Sequence, residues 1–136
     1  MQIKRVDSTI STYKLQESRD FYVKHFGFEV VYESDWYIEL LAKGLPTAGI
    51  SFVLAQREEG EIFNGKGLII SFEVDDVDRE FWRLSAEGVD IYQPIQEKPW
   101  GERSFVVNDP NGVHLYIYKL IPAQPEYQKI YDAYKK

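Results

Sequence analysis

The stretch Asp109-Pro110-Asn111-Gly112-Val113-His114-Leu115-Tyr116-Ile117-Tyr118, preceded by Pro99-Trp100-Gly101-Glu102-Arg103-Ser104-Phe105-Val106-Val107-Asn108, reads as two strands joined by a turn. Asp at the first turn position, Pro at the second and Gly at the fourth are each favoured in a type I turn. Gly112 is able to take the left-handed conformation that lets the return strand begin. Side chains alternate along that return strand, so Val113, Leu115 and Ile117 are expected under the helices, with His114, Tyr116 and Tyr118 on the open face.

Outward from this hairpin the chain repeats itself weakly. A strand near Thr9 to Lys14 leads into a helical stretch, Ser18 to Gly27, then strands near Phe28 to Glu33, Trp36 to Ala42 and Gly49 to Ala55. In the second half, a strand near Leu68 to Val74 leads into Asp78 to Gly88, then strands near Asp90 to Gln96, Arg103 to Val107 and Val113 to Tyr118. Each half spells strand, helix, strand, strand, strand. Arg19-Asp20-Phe21-Tyr22 answers Arg79-Glu80-Phe81-Trp82 at a spacing of 60, and Gly27 and Gly88 sit where a left-handed residue stops a helix. Asp75 followed by Asp78 gives the second helix an acidic, capped start, and Val77, Phe81 and Leu84 form its apolar face. In the strand before it, Leu68, Ile70, Phe72 and Val74 are expected in the core, leaving Ile69, Ser71 and Glu73 on the open side.

The expected fold class is therefore α+β, with two βαβββ modules forming a curved mixed sheet around a cleft, plus a C-terminal helix. The whole chain, 1–136, is read as one domain. Its modules cover about 1–58 and 67–121, and Glu58 to Gly67, with Gly60, Asn64 and Gly65, connects them. Beyond Pro122, Tyr127, Ile130, Tyr131 and Tyr134 recur at helical spacing, predicting a helix over about 124–134 that covers a sheet or makes a subunit contact.

Composition narrows the function. At 136 residues the chain buries roughly two-thirds of the surface its unfolded form exposes. It has no cysteine, which removes thiolate metal sites and a cysteine nucleophile. There is no apolar run of about 18 residues, and Met1 to Asp7 lacks the apolar core of a secretion signal, so a soluble cytoplasmic protein with no membrane partner is expected. Net charge is −6, and the 16 basic residues are scattered, which disfavours nucleic acid as a partner and suits a cationic ligand. Ten Tyr, eight Phe and three Trp suit a cleft that grips flat or apolar small molecules. No phosphate-cradling glycine motif or nucleophile elbow is present.

The two modules, the Ser18-Arg19-Asp20-Phe21-Tyr22 helix, the Phe72-Glu73-Val74-Asp75-Asp76-Val77-Asp78 junction and the Asp109-Pro110-Asn111-Gly112 hairpin together resemble the vicinal oxygen chelate superfamily. That group includes glyoxalase I, bleomycin-resistance proteins, fosfomycin-resistance enzymes and extradiol dioxygenases, and the resemblance runs from about Thr9 to Tyr118. Its enzymes hold a divalent metal with about three protein donors. The resemblance carries these positions onto Asp7, Ile69 and Tyr116. Ile69 has no donor, and a protonated phenol is a poor metal ligand. No cofactor is therefore expected.

The leading expectation is metal-independent binding of a small aromatic or cationic molecule, in the manner of bleomycin-resistance proteins, by a homodimer. The residues expected to bind the ligand are Trp36, Glu73, Trp100, His114 and Tyr116; Trp100 stands in a Pro-Trp-Gly turn common in such relatives. The alternative is a metal-dependent glyoxalase-like lyase or extradiol dioxygenase with a ligand set displaced to His114, Glu73 and Asp7. A third reading, a metal-free enzyme, uses His114 or Glu73 as acid or base. His25, late in the first helix, is expected to be a partly exposed residue near the helix's negative end.

Overall fold

The computed structural model describes residues 1–55 and 63–135, so most of the predicted connector lies outside the described residues. The element order is β1 (Val6–Thr12), α1 (Leu15–Phe26), β2 (Glu29–Glu33), β3 (Tyr37–Ala42), β4 (Leu45–Leu54), β5 (Ile69–Glu73), α2 (Val77–Ala86), β6 (Ile91–Lys98), β7 (Glu102–Asn108), β8 (His114–Leu120) and α3 (Pro125–Tyr134). Both βαβββ modules are present. Each forms a four-stranded mixed sheet, ordered β1-β4-β3-β2 in the first and β5-β8-β7-β6 in the second. In each, the first strand runs parallel to the last and the other pairings are antiparallel.

Contacts divide the chain into two compact units, Met1–Lys66 with Asp109–Gly112, and Gly67–Asn108 with Val113–Lys136. The turn between β7 and β8 thus belongs to the first unit. It closes as predicted: the Gly112 amide donates to the Asp109 carbonyl at 3.1 Å, and Gly112 has a φ of +84°. The Asp109 carboxylate accepts from the Asn111 amide at 2.8 Å, bracing the turn from inside.

Within the first unit, α1 lies on a core of Ile10, Ile38, Leu40, Ile50 and Phe52. Tyr22 is fully buried there, and its hydroxyl donates to Asp109 Oδ2 at 2.7 Å. That environment pushes the Tyr22 phenol well above its ordinary pKa, by burial first and by the adjacent carboxylate second. Beside it, the Asn111 side chain accepts from Thr12 Oγ1 at 2.6 Å and donates to Ser18 Oγ at 2.9 Å. α1 begins at Leu15, earlier than the expected Ser18, because the Lys14 carbonyl already accepts the Ser18 amide and hydroxyl. β1 accordingly ends at Thr12, whose hydroxyl receives the Lys14 amide.

In the second unit, Val77 and Leu84 of α2 are buried with Phe105, Val107, Val113, Leu115 and Ile117, as the alternation predicts for β8. Phe81 meets Phe105 edge to face at 5.2 Å. β5 obeys the alternation, but Leu68, Ile70, Phe72 and Val74 are only half-buried, since β5 is an edge strand. The cap of α2 is Asp76, not Asp75, with Oδ1 accepting the Arg79 amide. Gly27 and Gly88 take the expected positive φ, 68° and 80°.

The repeat has a different register from the one the letters suggest. Tyr22 is buried, whereas Trp82, its match at a spacing of 60, is 69% exposed. Burial pairs Leu15 with Val77 and Tyr22 with Leu84, a spacing of 62. Similar letters mark similar helices, but the face each buries is set by the sheet beneath it.

Candidate functional site

The same spacing relates the first strands of the two sheets, Asp7, Thr9 and Ser11 answering Ile69, Ser71 and Glu73. On the first sheet, β1 contributes Asp7, Thr9 and Ser11, which pair with Gly49, Ser51 and Val53 of β4. Tyr37 and Glu39 of β3 lie beyond them, with Tyr32 of β2 opposite Glu39. On the second sheet, Ile69, Ser71 and Glu73 of β5 pair with His114, Tyr116 and Tyr118 of β8. Asn108, Val106 and Ser104 of β7 follow, with Glu102 at the end of the strand.

The first face holds a shallow hollow of about 450 Å³, lined mainly by carbon, from Thr9, Tyr32, Trp36, Tyr37, Glu39 and Val53. Tyr37 packs against Tyr32 and Trp36 with ring centroids 5.9 Å apart in each pair. Trp36 lies just before β3 and is half exposed. The charge here is partly compensated: Arg5 reaches Asp7 Oδ1 at 2.7 Å and Glu39 Oε2 at 2.8 Å. Gly49 makes room for this group, since a side-chain carbon there would collide with Asp7 Oδ1 and stand 2.7 Å from Arg5 Nη2.

The second face is organised around Glu102. Its Oε1 accepts from Trp100 Nε1 at 2.6 Å and from the Tyr116 hydroxyl at 2.9 Å. Desolvation chiefly raises the Tyr116 pKa; Glu102 adds to the rise while donation from Ser104 and Trp100 opposes it, and the phenol stays protonated. The Tyr118 hydroxyl is raised as well, by desolvation first and then by the Glu73 and Glu102 carboxylates. Tyr116 and Tyr118 lie with ring centroids 5.7 Å apart. His114 is held between Tyr92, stacked at 4.3 Å, and Asn108 Oδ1, 2.8 Å from Nδ1. α3 touches the Trp100 turn: the Tyr131 hydroxyl donates to the Trp100 carbonyl at 2.8 Å, and Tyr127 meets the indole edge-on.

A family-type metal does not fit these residues. Asp7 is engaged by Arg5, Ile69 offers no lone pair, and Tyr116 is a protonated phenol donating to Glu102. The displaced set fails within the second sheet alone. His114 pairs with Ile69 and Tyr118 with Glu73, so His114 and Glu73 stand four residues apart along parallel strands, about 13 Å. One ion cannot bind both. Among the described residues no group of three or more His, Asp or Glu side chains converges.

Of the five residues expected to bind ligand, the structure places Glu73, Trp100, His114 and Tyr116 in the second unit, and joins Trp100 to Tyr116 through Glu102. Trp36 stands in the first unit beside two tyrosines. Sequence reasoning passed over Glu102, Tyr92, Tyr32 and Tyr37. For Glu102 the signal was present, since period-two counting along β7 puts it on the face of Ser104 and Val106, opposite Tyr118 and Tyr116. His25 sits half-buried in the last turn of α1 against Phe21 at 5.2 Å.

Two mixed sheets of βαβββ topology with a terminal helix define the class. The sequence pattern of the Glyoxalase/Bleomycin resistance protein/Dioxygenase superfamily matches residues 3–117, and the chain belongs to that family. Among solved structures, a superfamily member from Sphaerobacter thermophilus DSM 20745 is 26% identical, with a TM-score of 0.73 over 86% of this chain and 98% of that one. TnmS3, an antibiotic binding protein from Streptomyces sp. CB03234, is 22% identical, with a TM-score of 0.72 over 88% and 98%. TioX from Micromonospora sp. ML1 is 23% identical, with a TM-score of 0.64 over 89% and 99%. At those last two identities the likeness is one of fold. No curated protein sequence matches significantly. No described helix is long and apolar enough to cross a membrane.

Proposed function

We propose that this chain binds a small organic molecule with an aromatic or cationic part, without a divalent metal, and that it works as a cytoplasmic homodimer. Trp36, Glu73, Trp100, His114 and Tyr116 are the proposed ligand-binding residues. The observation that carries the reading is the Trp100–Glu102–Tyr116 group, in which the Tyr116 phenol, at a position the resemblance assigns to a metal ligand, is fixed by a hydrogen bond to Glu102. Rings locked this way form a wall whose geometry is set before the ligand arrives, which reduces the entropy cost of binding. Description of TnmS3 as an antibiotic binding protein supports ligand capture as a use of this fold.

The test is a titration with planar aromatic compounds, followed by tryptophan fluorescence, on protein purified without added metal and assayed with and without chelator. Binding that is indifferent to chelator, with metal content far below one per chain, is expected. A tightly held metal at one per chain, or binding abolished by chelator, would overturn the proposal. Sedimentation at twice the chain mass is expected for the dimer.

A further inference from the structure

The two open faces differ in how their carboxylates are answered. On the first sheet, Asp7 and Glu39 share one cation, Arg5, which bridges them. On the second, the groups meeting Glu102 and Glu73 are neutral: an indole N–H and phenols. Among the described residues neither carboxylate has a basic group within 4 Å, and Glu102 Oε2 accepts no hydrogen bond. Lys98 stands directly across from Glu102 in the β6–β7 pairing. Its ammonium instead donates to Gln96 Oε1 at 2.7 Å and hangs 5.8 Å from the centre of the Trp100 ring.

From this we infer that Glu102 is a specificity-determining residue that selects ligands carrying a positive charge next to a flat ring, and that Lys98 is the resident cation such a ligand displaces. The inference rests on the small-molecule reading above. Trp100 presents a π-face that attracts cations, and Glu102 Oε1 fixes that ring while Oε2 keeps a lone-pair face for an ammonium or an aromatic cation. Glu73, with Tyr118 of β8 against it, adds negative potential from β5, two strands from Glu102. Burying a cation against one unpaired, half-exposed carboxylate supplies roughly fivefold in affinity.

Acridine and N-methylacridinium at pH 8 form a nearly isosteric pair, neutral and cationic, whose affinities are read by fluorescence. The wild-type chain is expected to prefer the cation. Glu102→Gln, whose amide oxygen still accepts from Trp100 and Tyr116, is expected to lower the cation-to-neutral ratio about fivefold. Lys98→Met, which removes the competing ammonium and leaves the Trp100–Glu102–Tyr116 bonds in place, is expected to raise it. Both probes binding with a ratio unmoved by either variant overturns the inference while the small-molecule reading stands. Neither probe binding the wild-type chain overturns both. Should Glu102→Gln fail to fold, judged by circular dichroism, the direction of the Lys98→Met ratio decides alone: a rise supports the inference, and no change or a fall overturns it.

Discussion

Tyr22→Phe removes one oxygen from the interior of the first unit and leaves the packing almost untouched. The ring keeps its neighbours, Phe28 at 5.5 Å and Phe52 at 5.7 Å between centroids, so no cavity term arises. What is lost is a 2.7 Å hydrogen bond to the carboxylate of Asp109, itself 6% exposed. Hydrogen bonds to charged acceptors contribute about 1.5–3 kcal/mol, and a buried carboxylate deprived of a donor keeps its desolvation cost. The expected destabilisation is therefore about 2 kcal/mol, or roughly 8 °C in Tm for a domain of this size. Urea unfolding followed by far-ultraviolet circular dichroism measures it directly. In an Asp109→Asn background the same substitution should cost about 1 kcal/mol, since a neutral amide needs the phenol less. A Tyr22→Phe cost below about 0.5 kcal/mol, or one unchanged by Asp109→Asn, would refute the reasoning.

Asn111→Ala removes the partner of both Thr12 Oγ1 and Ser18 Oγ, and should destabilise by about 1–3 kcal/mol in the same urea assay, with affinity at the proposed ligand-binding face of the second sheet unaffected. Asp78 is gripped by Arg103 through bonds of 2.7 and 3.0 Å, which hold its carboxyl below the ordinary carboxylate range. Its folded pKa being the lower one, this contribution is present above about pH 4 and is lost as pH falls through the folded value, so thermal melts of Arg103→Met between pH 6 and pH 2 should show a flatter decline than wild type.

The hairpin was legible because its signals are local. Asp, Pro and Gly each favour their own turn position, and the alternation of Val113 to Tyr118 assigned every side chain to the correct face of β8. The helix stops at Gly27 and Gly88 were readable for the same reason, since a left-handed residue there requires no distant partner. The register of the repeat was not, because Trp82 and Tyr22 look alike as letters while burial is decided by the strands each helix lies on. Nor was the role of Asp109 and Asn111 beyond the turn: their partners Tyr22, Thr12 and Ser18 are 87 or more residues away in sequence. Within the site, the aromatic residues were visible as types, and Glu102 as a position on a face. Its hydrogen bonds depend on how Trp100 and Tyr116 lean across the strand, which spacing does not encode.

The assignment of Asp109–Gly112 to the first unit bears on how the chain is made. During synthesis Tyr22 leaves the ribosome 87 residues before the carboxylate that receives its hydroxyl, a delay of roughly 4–17 s at ordinary elongation rates. Through that interval the helix and sheet that surround Tyr22 lack the buried acceptor that completes them, and closing so long a loop is an entropic cost met late. The first unit thus lacks one of its own parts until late in synthesis, and its consolidation waits on a four-residue turn from the second half of the message.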